Sequence, residues 1–316
     1  MKYIQDFKEG EKIKGVYLCK KRFTVTTKTG KEFDIVKLQD KTGAIDGKIW
    51  DTDTFSFDGF KEMNYVSLMG EVSSFQGSLE LKLSRATIAN ENTYQVEDYI
   101  QSSKYDLDDM YKELVEFIAS VKNKYLNTLL TSFFIDDKKF AQKFKEHSAA
   151  RSVHHGFRGG LIEHTLGVAK NADHFASQYD FLNRDLLITG AIMHDIGKTI
   201  ELSAMPENDY TDEGNLIGHL VMGSEMIGNK CATIEDFPYK LKLQLQHLIL
   251  SHHGELEYGS PKKPATAEAF ALNLADNVDA KMETIKEALG RESEDNEWTG
   301  YHRILETNIR KTIIED

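Results

Sequence analysis

Cysteine is nearly absent from this chain. Two cysteines, Cys19 and Cys231, lie far apart in 316 residues, and no Cys-x-x-Cys pair occurs. That excludes a disulfide framework or a thiolate zinc site and fits a reducing compartment. Proline is scarce as well. All four (Pro206, Pro238, Pro261 and Pro264) come after residue 200, where they read as loops between helices. No run approaches the roughly 18 apolar residues of a membrane span. Met1–Asp6 lacks the pattern of a secretory signal. The expectation is a cytoplasmic protein with no membrane partner. There is no internal repeat and no low-complexity tract. What remains is ordinary globular composition, 40% hydrophobic and 28% charged, in a chain long enough for two domains or one large one.

Positive charge is also in short supply. The net charge is −12, which argues at first against nucleic acid. The distribution softens that: residues 1–50 hold 12 Lys and Arg against 7 Asp and Glu, a local excess of five. The acidity lies further along, as solvated helix surface and in part as carboxylates suited to metal.

Residues 1–90 read as strands. Ile13–Cys19, Arg22–Thr27, Glu32–Gln39, Ala44–Trp50, Tyr65–Gly70 and Phe75–Leu83 alternate or run apolar, with turns at Thr29-Gly30 and Asp40-Lys41-Thr42-Gly43. Short antiparallel strands in about 90 residues suggest a small closed barrel, and their order resembles an OB-fold, a barrel that binds oligonucleotides. On that reading the basic turn Lys20-Lys21-Arg22, with Lys28 and Lys31, tracks phosphates, while Phe23, Phe33, Trp50 and Phe75 stack bases. For each aromatic the competing reading is barrel core. Residues 91–104 are polar and read as a linker.

From Leu107 the apolar period becomes helical and stays so through a domain spanning 105–316. The fold class expected is therefore a small all-β barrel followed by an all-α bundle. Leu161, Thr165, Val168, Ala172 and Phe175 form an inward stripe, and His164 falls on or beside it. His194-Asp195 ends the helical stretch Leu186–Met193, just before Gly197. Glu201–Asn215 reads as a polar loop or hairpin over the site. His219 opens another helix. Leu241–His253 alternates like a strand at first, but its length and the stop at Gly254 favour a helix ending in His252-His253. Asp276 shares a helix face with Ala269, Leu272 and Ala280, where a carboxylate is costly to bury unless paired or metal-bound.

One inward histidine is usually a hydrogen-bonded core residue. His164, His194, Asp195, His219, His252, His253 and Asp276, each at a helix end or on an apolar face, are hard to explain that way. Imidazole and carboxylate are ligands for divalent transition metals, and the two oxygens of Asp195 allow it to bridge two ions. Without thiolate the set suits Mn²⁺ best, with Fe, Co, Ni and Zn as alternatives. Lys198 and Arg158 are candidate catalytic cations for stabilising phosphoryl charge, and His154 and His155 are candidates for supporting contacts.

This order of residues resembles the HD-domain superfamily of metal-dependent phosphohydrolases, named for a pair like His194-Asp195. A strand-rich domain in front makes the whole chain similar to the YhaM family of 3′–5′ exoribonucleases, and His155-Gly156-Phe157-Arg158-Gly159-Gly160-Leu161-Ile162-Glu163-His164-Thr165 is close to that family's phrase. The resemblance implies two divalent ions. His164, His194, Asp195 and Asp276 would hold the first. His219 and His252 would hold the second, with Asp195 bridging and His253 as a further ligand. It implies hydrolysis of single-stranded RNA, with single-stranded DNA as a further substrate, to nucleoside monophosphates. A homo-oligomer stays open. The alternative is a phosphohydrolase of small nucleotides or cyclic dinucleotides. A binding module with a purely structural site is disfavoured by the intact ligand set.

Overall fold

The computed structural model describes residues 1–27, 29–50, 57, 59–75, 78–151, 155–290 and 296–313. The chain forms two compact units, Met1–Ser102 and Ser103–Asp316.

The first unit is a closed barrel of five strands: β1 (Lys12–Thr26), β2 (Glu32–Asp40), β3 (Gly43–Ile49), β4 (Tyr65–Phe75) and β5 (Ser78–Ile88). They close in the order β1-β2-β3-β5-β4, consistent with the OB-like barrel expected from the sequence. One long strand makes closure feasible. The first half of β1 pairs with β4, the second half pairs with β2, and the register shifts between Cys19 and Lys21. A bulge of that kind bends a strand and raises its twist. The expected turn at Lys20-Lys21-Arg22 is therefore this bulge within one strand.

The turn at Asp40–Gly43 has a local cause. The buried Asp40 carboxylate accepts from the backbone N–H groups of Thr42 and Gly43 and, from a distant segment, of Ile4. Tyr17, Val36, Leu38, Ile49, Val66, Leu68 and Leu81 fill the interior. Most of the expected linker also belongs to this unit. Tyr99 is buried and donates to the Val16 carbonyl, and Gln39 donates to the Tyr99 carbonyl.

The second unit is helical: α1 (Leu107–Ser120), α2 (Lys124–Phe134), α3 (Lys138–Glu146), α4 (Gly160–Gln178), α5 (Arg184–Met193), α6 (Lys198–Glu201), α7 (Asp212–Leu216), α8 (His219–Cys231), α9 (Tyr239–Ser251) and α10 (Ala267–Gly290). Short polar side chains start several of them. Asp106, Asn123, Asp137 and Asn183 each accept from backbone N–H groups of the first turn, satisfying donors that have no partner inside the helix. The Leu241–His253 ambiguity resolves as helix. Helices α4, α5, α9 and α10 pack on a shared core that includes Leu161, Val168, Leu187, Ile192, Leu248, Ile249 and Leu272. Burying those apolar stripes is what brings the polar helix ends together.

Candidate metal centre

Five histidines and two aspartates converge inside the helical unit. His164 comes from the second turn of α4, His194 and Asp195 from the end of α5, His219 from the start of α8, His252 and His253 from the end of α9, and Asp276 from α10. His194, Asp195 and His252 are essentially fully buried, and His164 is nearly so.

Asp195 sits at the middle. Its Oδ2 lies 3.3 Å from His194 Nε2 and 3.6 Å from His164 Nε2. Its Oδ1 lies 3.5 Å from His219 Nε2 and 3.7 Å from His252 Nε2. On the first side, His164 Nε2 is 3.2 Å from Asp276 Oδ1 and 3.1 Å from His194 Nε2. On the second, His219 Nε2 is 3.3 Å from His253 Nε2. Donor atoms that share one ion at about 2.1 Å lie roughly 3.0–3.4 Å apart, for octahedral or tetrahedral geometry. The closest of these spacings fall in that range.

The histidines are aimed by their other nitrogens. His194 Nδ1 donates to the Ala191 carbonyl at 2.8 Å, His252 Nδ1 to Ile249 at 2.8 Å and His253 Nδ1 to Tyr258 at 3.0 Å. His164 Nδ1 donates to Asp279 Oδ2 at 2.7 Å, and His219 Nδ1 to Glu201 Oε1 at 2.8 Å. With Nδ1 carrying the proton, each Nε2 turns toward the cluster, as metal-ligating histidines do. Two lone pairs facing each other at His219 and His253 repel unless a cation lies between them. The buried Asp195 Oδ1 has no hydrogen-bond partner among the described residues. Both features fit divalent ions, and the absence of sulfur fits a hard or borderline one.

The electrostatics agree. Burial would raise the Asp195 pKa, but Lys198 and His194 hold it well below the usual carboxylate range. Asp276 is held low against the same burial by His164. Burial, with His194 and His253 nearby, pushes the His252 pKa well down, and burial with His219 lowers that of His253, so both stay neutral. His164 differs. Burial works against its charge, yet Asp276 and Asp279 raise its pKa to about 10. In the metal-free cluster a proton therefore sits on His164, at a position an ion would take.

Two glycines let the helices approach closely enough. A Cβ on Gly197 would overlap the His219 carbonyl, so only glycine lets the start of α8 press against the turn after Asp195. A Cβ on Gly167 would overlap the Asp279 carboxylate that holds His164.

Other expected site residues fall in different places. Lys198 Nζ lies 2.7 Å from Asp195 Oδ2, inside the cluster. Arg158 is turned to an ion pair with Glu146 and does not join the cluster. His155 lies behind His164, with its Nε2 3.2 Å from Asp279 Oδ2. His154 and Lys28 lie outside the described residues. Asp279 and Glu201 were missed. Asp279 had one signal, its place one turn beyond Asp276 on α10. Glu201 was expected in a surface loop but is buried. The Glu201–Asn215 stretch forms a small Leu202–Tyr210 bridge and helix α7, and Asn208 ties it to the Ala150 and Arg151 carbonyls.

On the barrel, Phe23, Trp50 and Phe75 are exposed, and Lys48 lies over the Phe75 ring at 4.4 Å. Lys21 and Lys31 are exposed too. Phe33 is buried and stacks on Trp50, with centroids 4.5 Å apart. Arg22 is committed to structure: its Nε pairs with Asp34 at 2.8 Å and its Nη1 donates to the Phe57 and Phe60 carbonyls. The phosphate-tracking expectation for Arg22 and the base-stacking one for Phe33 are corrected accordingly.

The family model of the HD domain matches residues 161–281, the stretch that carries the cluster, so the helical unit contains an HD domain. Over 291 residues the chain is 36% identical to the 3′-5′ exoribonuclease YhaM of Geobacillus sp. (strain WCH70), covering 91% of this chain and 88% of that one. This chain belongs to the YhaM family of 3′–5′ exoribonucleases. Two crystal structures of the HD domain of the L. monocytogenes phosphodiesterase PgpH, one of them in complex with cyclic-di-AMP, are 22% identical. They cover 42% of this chain and 70% and 68% of their own, with TM-scores of 0.27 and 0.28, too low to argue from.

Proposed function

We infer that this protein is a metal-dependent 3′–5′ exoribonuclease that releases nucleoside monophosphates from single-stranded RNA with two divalent ions, Mn²⁺ best suited to the ligand set. The observation that carries the reading is Asp195, whose two oxygens face separate groups of imidazoles. His164, His194 and Asp276 complete the Oδ2 side, and His219, His252 and His253 the Oδ1 side. Divalent ions held by these residues would supply positive charge for the attacking and the leaving oxygen of a displacement at phosphorus.

The chain's own residues do the rest. Asp279, Glu201 and the helix-end carbonyls fix each imidazole's orientation before substrate arrives, so little reorganisation is needed at reaction. Lys198 is the cation nearest the Asp195 bridge. Burial opposes its charge but Asp195 outweighs it and raises its pKa, so it stays an ammonium able to take a phosphoryl oxygen. Arg158, held by Glu146, has no part in this reading.

The strand order supports an OB-fold that gathers single strands, with Phe23, Trp50 and Phe75 offering ring faces and the exposed Lys21 and Lys31 meeting phosphates. The two free, buried cysteines support a cytoplasmic setting.

The test is a 5′-labelled single-stranded RNA with Mn²⁺, beside the same strand circularised, its DNA counterpart, and a panel of free and cyclic nucleotides. The expected result is a descending ladder from the linear RNA, with the circle surviving and a 3′-phosphate impeding decay. Rapid cutting of the circle, or turnover of the nucleotides without the RNA, overturns the reading.

A further inference from the structure

A second group of ligands lies behind His164, joined to it through Asp279. His155 is 3% exposed, and its Nδ1 is buried with no hydrogen-bond partner among the described residues. Its tautomer is set from the other side: Nε2, 3.2 Å from Asp279 Oδ2, is the nitrogen that donates, because a carboxylate can only accept. In the neutral imidazole Nδ1 then carries the lone pair, buried and without a hydrogen-bond partner among the described residues, and a lone pair left so is costly.

Two carboxylates stand beside it. One donor atom each from His155, Glu163 and Glu283 lies within 4.8 Å of the others. Glu163 is oriented by Ser103, whose hydroxyl donates to Oε2 at 2.6 Å, and its Oε1 is 3.9 Å from His155 Nδ1. Both glutamate side chains are only 11% exposed. The cation near them is Lys286, 2.7 Å from Glu283 and 3.8 Å from Glu163, on a side chain that is 51% exposed. A cleft of about 450 Å³ opens here, and its lining holds six carboxylates against two lysines. That excess favours a cation and disfavours a nucleotide phosphate.

We propose that His155 Nδ1, Glu163 and Glu283 form a third divalent-cation site, separate from the ions at Asp195, in which the ion displaces the Lys286 ammonium. The donor set of one imidazole and two carboxylates suits Mn²⁺-class ions. The three side chains close on the ion by an ångström or more, and water entering from the cleft completes its shell. The site is coupled to the catalytic cluster by one carboxylate, because Asp279 Oδ2 accepts from both His155 Nε2 and His164 Nδ1. An ion on Nδ1 makes the Nε2–H a stronger donor to the same Oδ2 that holds His164, so occupancy of this site changes how Asp279 holds that ring.

The test counts ions on the full-length protein. Chelator-stripped wild type, Glu283→Gln and Lys286→Met are each titrated with Mn²⁺, with bound metal measured by equilibrium dialysis and folding monitored by circular dichroism. Wild type should bind one equivalent more than Glu283→Gln, whatever the number held at Asp195, so the result is independent of the two-ion reading. Lys286→Met, relieved of its competing charge, should bind that extra ion about tenfold more tightly. Equal stoichiometry in wild type and Glu283→Gln at millimolar Mn²⁺ overturns the proposal. So does an extra equivalent whose affinity is the same with and without Lys286, a comparison that stands even if Glu283→Gln does not fold.

Discussion

Replacing Asp279 with asparagine removes one charge and almost no volume. Asp279 does not reach the ions in this reading; it holds His164. Burial would raise its pKa, but hydrogen bonds from His155 and His164 keep the carboxyl down at about 2, so it is fully ionised at neutral pH. The 2.7 Å bond to His164 Nδ1 is thus charge-assisted. Such a bond contributes about 1.5–3 kcal/mol, and a neutral one about 0.5–1.5 kcal/mol. The carboxamide oxygen of the variant can still accept, so the change is about 1–2 kcal/mol, or roughly five- to thirtyfold in the affinity of the His164-side ion. That agrees with the roughly 10–100-fold loss seen when partners of metal ligands are mutated. The assay is competition for Mn²⁺ against a fluorescent chelator, with circular dichroism to confirm folding and RNA decay measured at saturating Mn²⁺. The Asp279→Asn variant should bind one ion more weakly and recover most of its activity when metal is raised. Gly167→Ala, which crowds the same carboxylate, should weaken the same ion. Unchanged Mn²⁺ affinity in both variants would refute the reasoning.

Three further outcomes follow from the same geometry. Glu201→Gln should weaken the ion on the His219 side by about tenfold while sparing the His164 side, because Glu201 orients only His219; Mn²⁺ titration checks this, and equal weakening of both ions contradicts it. In metal-free protein the His164 pKa is raised to about 10, against about 6.5 unfolded. Its protonation therefore contributes stability that is full below pH 6.5 and lost as pH rises toward 10. The melting temperature of chelator-treated protein should fall across that window and that of metal-loaded protein should fall less, whereas parallel profiles would count against the cluster's electrostatics. Finally, Trp50→Ala and Phe75→Ala should each weaken binding of a long single strand, by about 1–3 kcal/mol where a base is stacked, without changing metal content; unaltered binding in a filter or anisotropy assay would make the barrel face a bystander.

The helices were legible because burial leaves a period in the sequence. Leu161, Val168 and Ala172 mark the inner face of α4 without reference to any other segment. The ligands were legible because histidine and aspartate are unusual at apolar helix ends. Asp279 and Glu201 were not, since each acts only by meeting a histidine that chain folding brings near, in one case 115 residues away. The barrel's errors have the same origin. A basic residue beside a bulge looks like a phosphate contact until Asp34 and two carbonyls are seen to claim Arg22. Alternation alone does not separate Phe33, which is buried, from Phe23, which is exposed. The polar stretch 91–104 reads as a linker until Tyr99 is found inside the first unit.

The bridging role of Asp195 is the claim on which the mechanism rests, and anomalous scattering from crystals of the Mn²⁺-loaded protein tests it most directly. The account predicts two peaks about 3.5–4 Å apart on either side of the Asp195 carboxylate. One should be held by His164, His194 and Asp276, the other by His219, His252 and His253. A single peak, or two peaks that do not share Asp195, would contradict it.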